Sequence, residues 1–329
     1  MKSFFAAVFF TLSFYQYSTA QNSIQEAKFV TLGGIKQWIT IRGHQISSPL
    51  LLILHGGLGD AQSCYTDIYA EYEKKFIVVQ WDQRGAGQTY GEYREQTPNL
   101  TIEQLVSDGI ELAKYLKKRF KQNDLILLGH SFGTVIATGM VTERPDLYKA
   151  YVGTGQIASW AESVQSLFDF MKMKAIESKD SLLLDELSKI GTPDPKNAGQ
   201  FFHFTRSRRK YLDAADTSWF ATLKKEAGSL GKQELNNLDS GMRFSGRVLL
   251  PYQLEEHLST QSLNFRLPYL VVQGNDDLFT PTEPVKNYFD KITAPRKKLV
   301  IIESAGHFAF VTNKERFIGE IEKFVSGNQ

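Results

Sequence analysis

The chain has little cysteine, little net charge and few long apolar runs, and each shortage excludes a class of protein. Cys64 is the only cysteine among 329 residues, so a scaffold held by internal disulfides is excluded. Lys and Arg total 38 and Asp and Glu total 36, a balance that gives no electrostatic reason to expect a nucleic-acid partner. The sequence has no metal-ligand cluster and no glycine-rich phosphate motif, so we expect no metal and no cofactor.

The longest apolar run lies near the first residue. Residues 4–14 are mostly apolar, Lys2 precedes them, and Ser18-Thr19-Ala20 matches the small-x-small pattern of a signal-peptidase site. The run is too short for a membrane span. We therefore predict that residues 1–20 are a signal peptide, that the mature protein is secreted or periplasmic, and that it has no membrane partner after cleavage. An uncleaved anchor is the alternative.

Apolar segments typical of buried strands alternate with helical patterns along most of the chain. The strand-like segments are residues 30–32, 38–41, 50–54, 76–79, 125–128, 148–152, 268–273 and 299–302. The first two flank Gly33-Gly34 and predict a β-hairpin. Near-continuous apolar strands alternating with helices predict an α/β fold with a mostly parallel, doubly wound sheet covered on both faces.

Residues 155–265 have a different character. They are rich in helix formers and charged residues, and they lack aliphatic strand runs. We interpret them as a helical cap inserted after the sixth strand, over the carboxyl ends of the strands, where ligands bind in such sheets. The predicted core then comprises residues 21–154 and 266–329.

The stretch Gly129-His-Ser-Phe-Gly133 follows a predicted strand and precedes a predicted helix. This is the context of a G-x-S-x-G nucleophile elbow. Glycines at 129 and 133 allow strand and helix to approach closely, while the serine between them sits on a sharp turn. We therefore predict Ser131 as a catalytic nucleophile.

A serine hydroxyl is a poor nucleophile until a base takes its proton. Of the six histidines, His307 alone follows the last buried strand, and we predict it as the base. His130 adjoins the serine, where successive side chains diverge, and His55 is expected to make a structural hydrogen bond. The others lie in the amino-terminal region or in the insertion: His44, His203 and His257.

The base needs a carboxylate to orient it. Asp276 and Asp277 both follow the preceding strand, and we favour Asp277, with Asp276 as the alternative. An oxyanion hole needs two backbone donors. The N–H groups of Phe132 and Gly57 are predicted for this role, with Leu58 as a weaker candidate than Gly57.

Asp82 and Arg84 could be mistaken for catalytic residues. Both stand in the loop that follows the strand at 76–79, in Trp81-Asp-Gln-Arg-Gly85. We interpret them as a structural ion pair that shapes this loop.

Five motifs together resemble the α/β-hydrolase superfamily. They are HGGLG at 55–59, WDQRGAGQT at 81–89, GHSFG at 129–133, GNDDLFTP at 274–281 and SAGHF at 304–308. The triad order Ser131, Asp277, His307 is the order in that superfamily. The long HGG turn with D-Q-R-G-x-G is similar to the proline iminopeptidase branch. The resemblance covers about residues 27–153 and 266–325. It implies a serine triad, a helical cap, removal of an N-terminal residue such as proline, and cap glutamates that bind the substrate amine.

The sequence departs from that branch at two places. The branch usually has Gly-Gly-Ser-Trp-Gly at the elbow, and its cap Trp-Glu pair and acidic-aromatic segment are not evident here. The cap acids that could bind an amine are Glu162, Glu226, Glu234, Glu255 and Glu256. Three hypotheses remain: an aminopeptidase acting on short peptides, a carboxylesterase or other acyl hydrolase on the same triad, and a non-catalytic binding protein. Ser131 argues against the aspartate-nucleophile enzymes of this fold.

Overall fold

A computed structural model describes residues 22–194, 204, 208–212, 214–254 and 263–327. The predicted signal peptide lies outside these residues. An eight-stranded sheet forms the centre of the molecule. Its strands are β1 Ile24–Leu32, β2 Ile35–Gly43, β3 Leu50–Leu54, β4 Ile77–Asp82, β5 Leu125–His130, β6 Ala150–Thr154, β7 Tyr269–Gly274 and β8 Lys297–Ile302.

The strand order in the sheet is β1-β2-β4-β3-β5-β6-β7-β8. The predicted hairpin forms, and β1 and β2 pair antiparallel along their full length. β2 also pairs antiparallel with β4, whereas every pairing from β4 to β8 is parallel. The mostly parallel sheet predicted from the sequence is therefore confirmed.

Helices cover the sheet and connect its strands. In the described residues they are α1 Ala70–Glu73, α2 Gly87–Tyr93, α3 Ile102–Phe120, α4 Phe132–Glu143, α5 Trp160–Glu177, α6 Ser181–Ile190, α7 Ala214–Ala227, α8 Lys232–Leu254, α9 Thr282–Lys291, α10 Ala309–Thr312 and α11 Lys314–Ser326. Helices α5 to α8 lie between β6 and β7, as predicted for the insertion after the sixth strand. The exact domain boundaries stay a prediction.

The alternating side chains of β3 show why the sheet is buried on both faces. Leu52 and Leu54 belong to a core cluster with α3 and α4, whereas Leu51 and Ile53 belong to a second cluster with α10 and α11. Successive strand side chains point to opposite faces, so both faces must be covered by helices. With both faces covered, the edge formed by the carboxyl ends of the strands is where a ligand can bind.

Two helices of the insertion contact loops at that edge. In α8, Ser245 Oγ donates to the carbonyl oxygen of Gly85 at 2.8 Å, and Asn237 Nδ2 donates to Gln88 Oε1 at 3.0 Å. In α7, the Trp219 ring lies 5.2 Å from the Phe308 ring. We call α5 to α8 the cap; it packs directly on the loops after β4 and β8.

The predicted ion pair between Asp82 and Arg84 is wrong, because Arg84 pairs with a different aspartate. Arg84 pairs with Asp108 of α3, with Nε 2.9 Å from Oδ2 and both side chains buried. Arg84 also donates to the carbonyl oxygen of Gly33, so it fastens the β1–β2 hairpin to α3. Asp82 instead accepts the backbone N–H of Gln88 at 2.8 Å. Arg84 is structural, but sequence proximity misidentified its partner.

Thr101-Ile-Glu-Gln104 has the sequence pattern of a capping box, which is half formed at the start of α3. The Gln104 N–H donates to Thr101 Oγ1 at 3.2 Å, as an N-cap requires. The Gln104 side chain does not return to Thr101; its Nε2 donates to Asp108 at 2.8 Å. The buried carboxylate of Asp108 therefore holds the Gln104 side chain, which in a capping box would accept the Thr101 N–H.

In the part of the chain that the structure describes, none of the helices combines the length and the apolar character needed to cross a lipid bilayer.

Candidate active site

Ser131 lies on the turn between β5 and α4 with φ 51° and ψ −124°. Non-glycine residues rarely adopt such a positive φ, and strained backbones of this kind cluster at functional sites. A Cβ on Gly129 would lie 2.8 Å from the carbonyl oxygen of Gly133, and a Cβ on Gly133 would lie 2.7 Å from that of His55. Both glycines are thus needed for β5, α4 and the end of β3 to approach each other.

Two neighbouring turns hold the elbow. The Ser131 N–H donates to the carbonyl oxygen of Thr154 at 3.0 Å, which ties the elbow to the end of β6. On the other side, a Cβ on Gly56 would come within 2.9 Å of the Ser131 Cβ. The turn after β3 therefore packs against the half-buried serine.

The two residues predicted for an oxyanion hole lie on these structures. Phe132 is the first residue of α4, and the N–H groups of a first helical turn have no acceptor within the helix. Gly57 follows Gly56 in the turn after β3 and has φ +56°, a conformation suited to glycine. The turns that carry both N–H groups flank Ser131, and their role as oxyanion donors stays a prediction.

The structure brings His307 and Asp277 together. His307 Nδ1 lies 2.9 Å from Asp277 Oδ2, and both side chains are buried. Asp277 Oδ1 accepts the N–H groups of Phe279 and Thr280 at 2.7 and 2.8 Å. Burial raises the pKa of Asp277, but its interactions with His307 and Thr280 lower that pKa further, to below its ordinary value. Asp277 is therefore a carboxylate that can orient an imidazole.

Asp276 occupies a different environment. It is exposed, and its Oδ1 accepts only a long hydrogen bond, 3.3 Å, from Asn275 Nδ2 among the described contacts of that carboxylate. Its N–H donates to the carbonyl oxygen of Ala305, so Asp276 contributes to the turn. Of the two aspartates considered from the sequence, Asp277 is the one that contacts His307.

The His307 ring is packed beside the elbow. The Phe279 ring stacks on it with centroids 4.7 Å apart and an interplanar angle of 22°, and the His130 ring lies 4.7 Å away on a tilted plane. Gly155 lies equally close, because a Cβ there would be 2.7 Å from His307 Cε1. The residue beside Ser131 and the turn after β6 thus restrict the imidazole to one position.

Two of the histidines that were not chosen as the base, His130 and His55, have other roles in the structure, whereas His203 and His257 lie outside the described residues. His130 is buried and its Nε2 lies 3.2 Å from the carbonyl oxygen of His307, so it braces the turn that carries His307. Burial and the nearby His307 lower the pKa of His130 well below its ordinary value. Burial lowers the pKa of His55 to about 4, and its Nδ1 lies 2.9 Å from the carbonyl oxygen of Gly56. We conclude that His55 is structural.

Two residues of this site were missed in the sequence. Gln273 Nε2 donates to Asp277 Oδ2 at 2.8 Å, and Asp216 of α7 accepts the backbone N–H of His307 at 2.9 Å. An amide at the end of the apolar run Tyr269–Gln273 was a usable signal, because buried polar groups require partners. Asp216 gave no such signal, since an aspartate in the first turn of a helical segment is more often exposed than buried.

The proposed amine-binding acids of the cap are spread over different surfaces. Glu162 lies at the start of α5, and its Oε2 is 3.4 Å from Asn287 Nδ2 of α9. Glu226 borders a cavity between α7 and the residues around Thr312. Glu234 is half-buried in α8, and its charge adds to the rise that burial causes in the pKa of Asp82. The remaining two, Glu255 and Glu256, lie outside the described residues.

Within the ranges 22–194, 204, 208–212, 214–254 and 263–327, no three His, Cys, Asp or Glu side chains are grouped so that they could hold a metal ion. The site is thus described by a serine on a strained turn, a histidine paired with a carboxylate, and two nearby turns that carry backbone donors.

Comparison with known sequences gives one family and a consistent set of relatives. The family model for the alpha/beta hydrolase fold matches residues 49–314. A probable aminopeptidase of Bacillus subtilis (strain 168), YbaC, is 28% identical over 310 residues, which cover 92% of this chain and 97% of the relative. A proline iminopeptidase of Lactobacillus helveticus is 24% identical over 297 residues, or 89% of this chain and 95% of the relative.

Solved structures agree on the fold. A proline iminopeptidase-related protein from Thermus thermophilus superposes with a TM-score of 0.64 at 20% identity, covering 92% of this chain and 98% of that one. An epoxide hydrolase from Vigna radiata has a TM-score of 0.55 at 16% identity, covering 92% of this chain and 98% of the other. One of these proteins is named as iminopeptidase-related and the other as an epoxide hydrolase, so the structural similarity supports the fold and not a particular reaction.

Proposed function

Because the chain belongs to the family with the alpha/beta hydrolase fold and is a serine hydrolase, we propose that it is an aminopeptidase that releases an N-terminal residue, such as proline, from short peptides. The resemblance to the proline iminopeptidase branch that was predicted from the sequence is confirmed by the matched relatives. With an enzyme of this family established, the hypothesis of a non-catalytic binding protein is set aside.

The observation that carries the proposed mechanism is the hydrogen bond between His307 Nδ1 and Asp277 Oδ2 beside the elbow of Ser131. Asp277 holds the proton of His307 on Nδ1, which leaves Nε2 free to act as a base. In the first step Ser131 Oγ attacks the carbonyl carbon of the substrate, and its proton passes to His307 Nε2. The imidazolium then gives this proton to the leaving amine, the C–N bond breaks, and an acyl-enzyme remains.

Water completes the reaction by the same route in reverse. His307 Nε2 takes a proton from water, the resulting hydroxide attacks the acyl carbon, and the proton returns to Ser131 Oγ as the ester bond breaks. During both steps negative charge develops on the carbonyl oxygen. The N–H groups of Phe132 and Gly57 are proposed to stabilise it, since two preorganised backbone donors at this point are worth several kcal/mol in such enzymes.

The relatives support a peptide substrate. Residues of the cap would then have to bind the amine of that substrate. An aminopeptidase holds a substrate ammonium near the acyl carbon, and a partly desolvated cation needs a carboxylate partner. Asp277 is committed to His307, and Asp216 accepts two backbone N–H groups. We propose that the ammonium partner is one of the other cap acids; of those described, Glu226 and Glu234 are half-buried and Glu162 is exposed.

An esterase or other acyl hydrolase on the same triad is the second candidate. It is favoured by the commitment of Asp216, a cap carboxylate that reaches His307 and is buried against its backbone. A substrate without a charged amine would need no further acid in the pocket. The two functions therefore differ in one measurable property, the requirement for a free amine.

The deciding experiment compares proline and alanine arylamides with short acyl esters, each arylamide with a free and with an acetylated amine. An aminopeptidase should turn over the free arylamides and lose most activity on the acetylated ones, because a neutral amide cannot replace the ammonium. Equal turnover of free and acetylated substrates would reject the aminopeptidase. Ser131→Ala should lower turnover by roughly three to six orders of magnitude in either case.

We further propose that the protein is exported and that residues 1–20 are removed. The support is the apolar run of residues 4–14 followed by Ser18-Thr19-Ala20. N-terminal sequencing of protein from the native host should begin near Gln21. A protein that retains Met1 and stays in the cytosolic fraction would refute export.

A further inference from the structure

Asp216 is a buried carboxylate of the cap that no step of the proposed mechanism uses. It stands in the first turn of α7, and its side chain is fully inaccessible to solvent. Burying a carboxylate is costly unless several hydrogen bonds compensate for the lost water. Neighbouring backbone N–H groups provide these hydrogen bonds.

Both oxygens of Asp216 accept hydrogen bonds from the turn that carries the proposed base. Oδ2 accepts the N–H of His307 at 2.9 Å, and Oδ1 accepts the N–H of Phe308 at 3.2 Å. Two consecutive backbone donors thus converge on one carboxylate from a different part of the chain. This geometry fixes the peptide planes on both sides of the His307 Cα, and with them the direction in which the imidazole leaves the backbone.

The residue before the base is adapted to this contact. A Cβ on Gly306 would overlap the carboxylate of Asp216. The glycine in the motif Ser304-Ala-Gly-His-Phe308 therefore allows the close approach of α7. Further along α7, Trp219 packs on Phe308 with ring centroids 5.2 Å apart. The cap and the turn after β8 are thus joined by polar and aromatic contacts within one helix turn of each other.

We propose that Asp216 is a positioning residue that sets the orientation of His307. The ability of His307 to act as a base then depends on α7 staying packed against the turn after β8. The opposite side of the imidazole is held by Asp277 at Nδ1, so the side chain is fixed from the ring and from the backbone. A cap that moves away from the core removes the backbone contacts and leaves the ring held by Asp277 and by its packing against Phe279 and His130.

Charge strengthens the contact. Hydrogen bonds to an ionised carboxylate are roughly twice as strong as neutral ones. Burial raises the pKa of Asp216 to about 6, against the lowering effect of the His307 N–H and of the His307 charge. At pH 8 the carboxylate is ionised, and the test is designed for that condition.

The experiment compares Asp216→Asn with the native chain at pH 8. The amide nitrogen of asparagine cannot accept, so one of the two backbone N–H groups loses its partner. We expect kcat to fall about 10- to 100-fold with KM within about threefold of the native value, as small displacements of a catalytic group can cost 10²-fold. Asp239→Asn, which changes an exposed aspartate of α8, is the matched control and should leave kcat unchanged.

The inference rests on the proposed role of His307, so its readout must not depend on the peptide substrate. The rate at which a fluorophosphonate labels Ser131 reports on the nucleophile and its base for peptidase and esterase alike. If acetylated substrates react normally, the aminopeptidase proposal fails while the labelling comparison still tests Asp216. If His307→Ala labels at the native rate, the role of the base fails instead.

A double-mutant cycle separates positioning from a general structural effect. In a His307→Ala background, Asp216→Asn should cost less than about twofold in residual labelling, because the group that it positions is gone. An equal loss in both backgrounds would overturn the proposal, as would native kcat in the single variant. If Asp216→Asn does not fold, Asp216→Ser, which is smaller and keeps one acceptor, should show a partial loss of kcat; native kcat in that variant would overturn the proposal too.

Discussion

Gln273 and His307 share one oxygen of Asp277. Gln273 Nε2 donates to Oδ2 at 2.8 Å, and His307 Nδ1 lies 2.9 Å from the same atom. On its other side, Gln273 Oε1 accepts the backbone N–H of Gln156 at 3.2 Å. One buried amide thereby connects the end of β6 to the carboxylate beside the proposed base, and together with the Phe279 and Thr280 donors it fixes which way the Asp277 oxygens point.

Gln273→Met should lower kcat about tenfold with little change in KM, since losing a hydrogen bond to a charged group costs about 1.5–3 kcal/mol. Methionine has a similar length and flexibility but no donor, so Asp277 loses one partner and gains freedom to rotate. Gln122→Met is the matched control, because that amide donates to Ser48 far from the site. Equal kcat in both variants would contradict the role assigned to Gln273.

The two adjacent aspartates should differ sharply in their effect on rate. Asp277→Asn presents an amide to His307 Nδ1 and should reduce kcat by roughly 10⁴-fold, the loss known for this change in serine triads. Asp276→Asn alters an exposed side chain in the turn, and substitutions of that kind change the free energy of unfolding by about 0.5 kcal/mol or less. Steady-state kinetics of both variants on one substrate, with thermal unfolding as the check on folding, decide the assignment. A larger loss for Asp276→Asn would exchange the two roles.

The sequence predicted those parts of the site that follow from strand ends. Ser131 directly follows a buried strand, Asp277 and His307 lie in the loops after two others, and parallel strands bring such positions to one edge. The glycines of the elbow were also interpretable, because a sharp turn with close packing permits few other residues. These inferences needed only local pattern and the direction of the chain.

The contacts that the sequence could not predict join residues distant in the chain. Arg84 was expected to pair with nearby Asp82, but it reaches Asp108, which lies on the adjoining helix α3. Asp216 is separated from His307 by 91 positions, and its partners are backbone groups that have no sequence signature. A carboxylate in a charged helical segment looks the same whether it is solvated or buried, and only packing distinguishes the two.

Gly133→Ala should destabilise the core and displace the elbow. A Cβ there would lie 2.7 Å from the carbonyl oxygen of His55, and overpacking of this kind costs about 1–3 kcal/mol. Gly319→Ala is the matched control in α11, where a Cβ meets nothing within 4 Å. That change should instead stabilise the protein by about 0.5–1 kcal/mol, the usual gain for alanine over glycine inside a helix. Urea unfolding measures both, and similar effects of the two substitutions would contradict the close packing at Gly133.

Asp82 should make the free energy of unfolding depend on pH. Its side chain is buried, Oδ2 accepts the Gln88 N–H, and Oδ1 has no partner among the described residues. Burial raises its pKa from 3.8 to about 6; the nearby Ser63 and the Gln88 N–H oppose this rise, and the charge of Glu234 adds to it. The folded protein therefore holds this proton more tightly than the unfolded chain does. Its stabilising contribution is complete below about pH 3.8 and is lost as the pH rises through about 6.

Asp82→Asn removes this dependence, because asparagine is neutral at every pH. The free energy of unfolding of the variant minus that of the native chain should therefore increase between pH 4 and pH 8, by up to about 3 kcal/mol at ~1.4 kcal/mol per pKa unit. His55 and His130, whose pKa values are lowered, stabilise the protein as the pH rises, but they do so in both proteins and cancel in the difference. Urea titrations at pH 4 and pH 8 give the four free energies required. Asp239→Asn, which alters an exposed side chain, should shift both measurements equally, and a flat difference for Asp82→Asn would mean that the Asp82 carboxylate is solvated in the folded protein.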